Sequence, residues 1–488
     1  MTDFPGSLSN PAPAADPVPL PKGRRRTELL MLAFAVAVVA FADAAVGLGL
    51  NGHVPASLIG YVGGFALIMV GAHFCVRWLA PWADPLMLPL AALLNGLGVV
   101  MIYRLQESGR SGNPGNVIST LTSGAAATQL VWTLIGVVGF VAVLFVIREP
   151  RVLQRYTYTL GALGLILLAI PALLPSSMSS VQGAKVWIII GGFEIQPGEF
   201  AKLALAVFFA GYLVNKRDVL ALAGRRLLGI DLPRARDLGP VLICWGASLL
   251  ILVFETDIGT SAIFFGLFVA MIYVATQRTS WLLIGFFLFL AGAWVASTLF
   301  SHVGARFTAW LHPFTLANIN CGAPTVHVPC VPSYQLVQGL YGMGFGGIFG
   351  SGLGHGQPFW TPLVQSDFII TGFGEELGLT GLMAILLVFG LLVQRGLRAA
   401  IAVKDPFAKL LGGGLSFVLA LQVFVIVGGV TRLIPLTGIT TPFLSQGGSS
   451  LVASWALIAV LIRVSDTARR PAPQPIQDEG MTQVVRAG

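Results

Sequence analysis

The stretch TPLVQSDFIITGFGEELGLTG at 361–381 holds the acids with the most chemical promise. Asp367 is the one acid of its polar segment, while Glu375 and Glu376 open the apolar run that follows. A lone carboxylate of this kind can serve as a general base, which requires only that it reach the proton it removes. The competing use is as an N-cap on the next helix, a common job for Asp. For the glutamates at a helix start, partnership with the helix dipole is the simpler reading. Glu199 and Lys202 stand three residues apart, on one helical face, and can either pair or line a polar cavity. Asp257 lies in the short turn ETDIGT, where it is a candidate ligand contact or a cap. Arg306 and Arg432 are candidate contacts for a phosphate-bearing ligand, with lipid headgroups as the alternative, and Lys185 and Arg104 join them as candidate substrate-binding cations.

These groups sit in a chain that cannot be a soluble domain. Of 488 residues, 55% are hydrophobic and 10% charged, and the mean hydropathy is +0.83. Apolar runs long enough to cross the bilayer fall at 28–48, 57–76, 83–103, 129–147, 155–174, 199–214, 239–254, 258–276, 280–302, 376–394, 408–431 and 446–463. The expected fold is therefore an all-α polytopic membrane protein of about twelve spans. Pro-rich, polar ends at 1–27 and 467–488 read as disordered tails, and the first lacks the apolar core of a signal peptide.

Basic residues orient the spans. With both termini in the cytoplasm, all of the 29 Lys and Arg fall on inner segments except Arg104, Arg110, Lys185, Lys202, Arg306 and Arg432. The net charge of +8 thus reports topology and not nucleic-acid binding. The exceptions gather, with Glu199, Asp257 and Asp367, at the opposite face, and mid-membrane depth is almost free of charge, Asp43 being the nearest exception. An ion-coupled transporter places ionisable groups near the midplane on repeated halves. The pattern here instead fits chemistry on a lipid-linked substrate at the outer surface of the plasma membrane.

The outer segment 303–373 is the only loop large enough to build a site. Its Cys321 and Cys330 face an oxidising compartment and are expected to form a local disulfide, with free thiols as the alternative. Its glycine series is expected to pack backbone tightly or to re-enter the membrane surface. His302, His312, His327 and His355 lack ligand spacing. The basic inner loop at 215–237 is expected to lie against anionic lipid.

Four stretches, QGAKVWIIIGGFEIQPGEFAKLAL at 182–205, ETDIGTS at 255–261, the run 334–381 and GGVTRLIPLTGITTPFLSQGGSSL at 428–451, resemble the SEDS family of peptidoglycan polymerases, the RodA and FtsW proteins. The resemblance divides the chain into two additional N-terminal helices at 28–82 and a ten-helix core at 83–466. Those extra helices, the RLIPLTG wording and the length are more similar to the actinobacterial RodA branch than to FtsW. It departs from the family pattern at Gly198, Lys185, Glu255 and Gln446, and in the lead-in Val364, Gln365 and Ser366.

The resemblance implies polymerisation of lipid II into glycan strands outside the cell, for elongation and shape, beside a class B penicillin-binding transpeptidase. It implies that Asp367 matches the family's essential loop aspartate, here the general base of an inverting transfer, and that Glu199, Lys202 and Asp257 match its other polar motifs. A divalent cation, Mg or Mn, is the expected helper of the leaving pyrophosphate, with no nucleotide or redox cofactor and no nucleic-acid partner. The alternatives are a lipid II flippase, a division polymerase of the FtsW type, or a non-catalytic scaffold.

Overall fold

The structure is a computed structural model that describes residues 25–55, 58–112, 124–181, 184–190, 193–221, 225–227, 230–232, a few positions between 239 and 250, 258–314 and 332–471. Its principal helices are α1 (Arg25–Asn51), α2 (Leu58–Leu79), α3 (Met87–Gly112), α4 (Ala125–Val146), α5 (Thr157–Leu173), α6 (Pro197–Ala221) and α7 (Ile258–Thr276). They continue with α8 (Ser280–Leu299), α9 (Ser301–Leu311), α10 (Pro332–Gly346), α11 (Ile369–Ala402), α12 (Pro406–Val430) and α13 (Gly448–Arg469). Among the described residues, 11 helices are long and apolar enough to span a membrane. The remaining expected span, 239–254, lies mostly outside the described residues, as do most of both tails and part of the inner loop.

Two expectations change. The segment 303–373 is not one long loop: α9, α10 and a 3-10 turn at Pro358–Trp360 lie within it. The span expected at 376–394 belongs to α11, which is 34 residues long and broken at Gly378, where φ is 66° and ψ is −169°. Between α5 and α6 the chain forms two short antiparallel hairpins, Ser180–Val181 with Ala184–Lys185, and Ile188–Ile190 with Phe193–Ile195.

Hydrocarbon gives apolar helices no reason to leave lipid for one another, so close backbone approach and hydrogen bonds between helices hold a membrane bundle together. Both are present at α13. The fully buried Trp455 meets Phe140 of α4 edge-on, and a Cβ on Gly136 would lie 2.7 Å from its ring. Its indole N–H donates to Asn95 of α3 at 3.1 Å, and the Asn95 amide donates to Thr133 of α4 at 3.2 Å. At the other end of α13, Arg463 donates to the carbonyls of Leu79, Leu144 and Ile147. One guanidinium thereby satisfies carbonyls that α2 and α4 leave open at their ends. Within the most apolar stretch of each helix, 83% of α13 but 6% of α8 is buried, which makes α13 the axis and α8 a lipid-facing strut.

Candidate functional site

Asp367 ends the turn-rich segment before α11, and it does not cap that helix. Phe368 occupies the N-cap position, with no side-chain cap bond. The carboxylate of Asp367 instead accepts Ser366 Oγ at 3.0 Å and Gln335 Nε2 of α10 at 3.4 Å. Only 8% of the residue is exposed. Burial pushes its pKa up from 3.8 to about 6, against the smaller downward pull of the Ser366 bond, its own backbone amide, the Arg306 charge and Gln335.

The loop that carries this acid is pinned from two sides. Gln335 also donates to the carbonyl of Pro362 at 3.0 Å. From the segment between α12 and α13, the Gln446 amide donates to the Gln365 carbonyl at 2.8 Å, and Ser445 Oγ donates to the Ser366 carbonyl. Arg306 of α9 is half-buried and donates to the Thr437 carbonyl of that same segment at 2.8 Å. The segment reaches a second cluster too. Lys202 Nζ lies 2.7 Å from a carboxylate oxygen of Glu199 and donates to Gln422 at 2.7 Å, and Gln422 in turn donates to the Thr440 carbonyl at 3.1 Å. Both members of that ion pair are buried.

A third cluster forms where α11 breaks. In an unbroken helix the amides of residues 379 and 380 would donate to the carbonyls of 375 and 376. Here those carbonyls accept the amides of Ser351 at 3.0 Å and Gly352 at 2.9 Å, while the amides of Leu379 and Thr380 donate to Gly347 and Ile348, each at 3.0 Å. The glycine loop, residues 346–357, thus supplies the bonds that the break removes. Such substitution is what lets a helix interrupt itself at membrane depth. A Cβ on Gly350 would collide with the Glu376 carbonyl, and Gly350, Gly352, Gly354 and Gly378 all have positive φ. The expectation of tight backbone packing holds.

Side chains complete this cluster. Arg104 of α3 donates to Glu376 at 2.6 Å and to the Gly356 carbonyl at 2.7 Å. The other Glu376 oxygen accepts the Gly354 amide at 3.2 Å, and Glu375 accepts the Gln357 amide at 2.5 Å. Glu375 also lines a cleft of about 320 Å³ together with Gln338, Tyr341, His355, Gln357 and Thr361. Helix α10 faces both centres, with Gln335 on the acid and Gln338 in the cleft.

The other sequence candidates fare differently. Arg432 is exposed and spends its guanidinium on the carbonyls of Trp310 at 2.9 Å and Leu311 at 3.1 Å, so it clamps α9 to the end of α12. Arg104 is fully buried and paired with Glu376. Lys185 is half-buried in a hairpin strand. Asp257, Cys321 and Cys330 lie outside the described residues. Sequence reasoning missed Gln335, Ser366, Gln422 and Ser445 as partners, although the small polar run TTPFLSQGGSS inside so apolar a chain is a signal that could have found the last. Among the described residues no three His, Cys, Asp or Glu gather into a metal site. A cation shared with a phosphate-bearing ligand would need a carboxylate at an open cleft, and Glu375 lines one.

Fold and site together define a multi-pass helical membrane protein with a buried carboxylate, Asp367, whose loop is held from α10 and from the segment between α12 and α13. The chain belongs to the Cell cycle protein family of FtsW, RodA and SpoVE, whose sequence model matches residues 84–470. It is 48% identical over 422 residues to the peptidoglycan glycosyltransferase RodA of Mycobacterium tuberculosis, covering 86% of this chain and 85% of that one. The Mycobacterium leprae RodA is 48% identical over 415 residues, covering 84% of each. A solved chain from a peptidoglycan synthase complex shares the fold at a TM-score of 0.52 with 21% identity, over 84% of this chain and 98% of that one.

Proposed function

We infer that this chain is a peptidoglycan glycosyltransferase that polymerises lipid II, with Asp367 as its general base. The observation that carries the role of Asp367 is its setting: a buried carboxylate with its pKa near 6, held by Ser366 and Gln335 and within the field of Arg306. At neutral pH such a group is ionised yet basic enough to take a proton. In the reaction, Asp367 removes the proton from the acceptor sugar hydroxyl, whose oxygen then bonds to the anomeric carbon of the donor. The bond from that carbon to the pyrophosphate breaks with inversion, and the electron pair leaves on the pyrophosphate.

Arg306 is the cation best placed to meet the leaving charge, since it acts electrostatically on Asp367. Glu199 and Lys202 shape the polar wall through Gln422 and Thr440. Glu375, in the cleft, is the group that would share a Mg or Mn ion with the pyrophosphate; when bound, the ion neutralises the departing phosphates. The orientation that agrees with the basic residues puts both termini in the cytoplasm and Asp367 outside. A class B penicillin-binding transpeptidase is the fitting partner, because strands made there need cross-linking; the relation to a synthase complex supports this only at the level of fold.

Purified protein in liposomes, supplied with lipid II and no other glycosyltransferase, tests the reading. Glycan product that needs Asp367 and falls with chelator supports it. Translocation of lipid II without polymer would make the chain a flippase, and product that survives Asp367→Asn would remove the base.

A further inference from the structure

Helices α1 and α2 precede the stretch matched by the family, which begins at residue 84. Both are shallowly embedded, with 33% and 28% of their apolar windows buried. Yet the last turn of α1 meets the glycine loop backbone to backbone. A Cβ on Gly49 would collide with the Leu353 carbonyl oxygen and lie 3.1 Å from the Gly354 Cα. Viewed from the loop, a Cβ on Gly354 would lie 3.0 Å from both the Gly49 Cα and the Val46 carbonyl oxygen. Gly354 is itself buried, at a φ of +87°. Two main chains cross here with no room for a side chain on either.

What the crossing holds is the wall of the cleft. The Gly354 amide donates to Glu376, the Gly356 carbonyl accepts Arg104, and the Gln357 amide donates to Glu375. His355 and Gln357 line the cleft directly. Moving α1 away by the width of a methyl group would therefore shift three anchored backbone groups and the two cleft residues between them.

We propose that the α1–α2 pair positions the glycine loop of the cleft through the crossing of Gly49 and Gly354, and that Gly49 is a positioning residue for substrate binding in the glycosyl transfer inferred above, on which this inference rests. The pair is thus a part of the working site and not only a membrane anchor. Its effect is carried by the Leu353–His355 turn, where a Cβ on Gly49 would also lie 2.9 Å from Nδ1 of His355, a residue that lines the cleft. Positions on α2 where a Cβ meets nothing within 4 Å, Gly60, Gly63 and Gly71, provide matched controls in the same helical pair.

The test measures two things on full-length protein in lipid nanodiscs: amide exchange over 351–357, and KM and kcat for lipid II. Gly49→Val is expected to speed exchange across that loop and to raise KM on the order of ten-fold, the scale of a small misplacement in a positioned site. Exchange over 436–446 and the behaviour of Gly60→Val should match the wild type. A merely structural role would lower the yield of folded enzyme and its apparent kcat with KM unchanged, and that result would overturn the proposal. So would faster exchange without a change in KM, or a change in KM without faster exchange. If Gly49→Val does not accumulate, Gly49→Ala takes its place and must show the same paired effect at smaller size. An inactive wild type would sink the glycosyltransferase reading and this inference with it, whereas an active wild type with an unaltered Gly49 variant sinks the inference alone.

Discussion

Gln335 joins the two ends of the loop that presents Asp367: its amide donates to the Pro362 carbonyl at 3.0 Å and points to the Asp367 carboxylate at 3.4 Å. One α10 side chain therefore fixes both the path of the loop and the direction of its acid. Gln335→Leu is expected to lower kcat by roughly ten- to a hundred-fold, the scale of an ångström of misplacement, with little change in folding. Single-turnover polymerisation of lipid II, with membrane abundance measured beside it, checks this.

Asp367→Asn is expected to reduce polymerisation by about two to four orders of magnitude, the usual worth of a general base. Because the base form exists only above its pKa, the wild-type rate should fall on acidification through about pH 6, about two units above an ordinary aspartate. The stability sign runs the other way. A pKa raised from 3.8 to about 6 means that ionising Asp367 opposes folding, by roughly 3 kcal/mol at most once the pH exceeds that value. The Asn variant should thus be at least as heat-stable as the wild type at pH 7.5, and any advantage should shrink near pH 5. Thermal melts at the two pH values, together with a pH-rate profile, decide the matter.

Arg104 and Glu376 form a buried pair, 2.6 Å apart, with both side chains almost wholly enclosed. Removing one partner strands the other charge, at a cost of about 3–5 kcal/mol. Arg104→Gln and Glu376→Gln should each lower the amount of folded protein sharply, and the double variant should recover part of the loss. Detergent-solubilised yield and melting temperature give the readout.

Ser445 donates to the Ser366 carbonyl and accepts the Thr441 amide at 2.8 Å. Ser445→Ala leaves a part-buried acceptor and a buried donor without this partner, costing about 1–3 kcal/mol. Since one of these neighbours the acid, kcat should fall several-fold while KM stays near its wild-type value. Steady-state kinetics of the purified variant would show it.

The helical membrane fold was legible because hydropathy over a run of some twenty residues is a local quantity. Asp367 stood out as the one acid of its polar segment, and the family resemblance assigned its motif. Other features depend on long-range contacts. Nothing around Gln335 in the sequence marks it as the partner of a residue 32 positions on, and Ser445 reaches Ser366 across 79 positions. The carbonyls that Arg432 meets at the end of α9 lie 121 and 122 positions away in the chain, a pairing no local pattern announces. The break in α11 was hidden because four glycines, Gly372, Gly374, Gly378 and Gly381, could each have taken it, and only the contacts with the glycine loop select Gly378.

That break makes the two chain segments at Gly378 exchange donors and acceptors in a closed set of four bonds. None of the four can be lost alone without leaving an amide or a carbonyl bare in a setting with little water. The two segments are therefore held in one register by four backbone bonds at once. Adding or deleting one residue between Gly347 and Gly352 would put every donor out of register at once. The reach of that wall over a bound lipid is set by chain length as strictly as by the identity of any side chain.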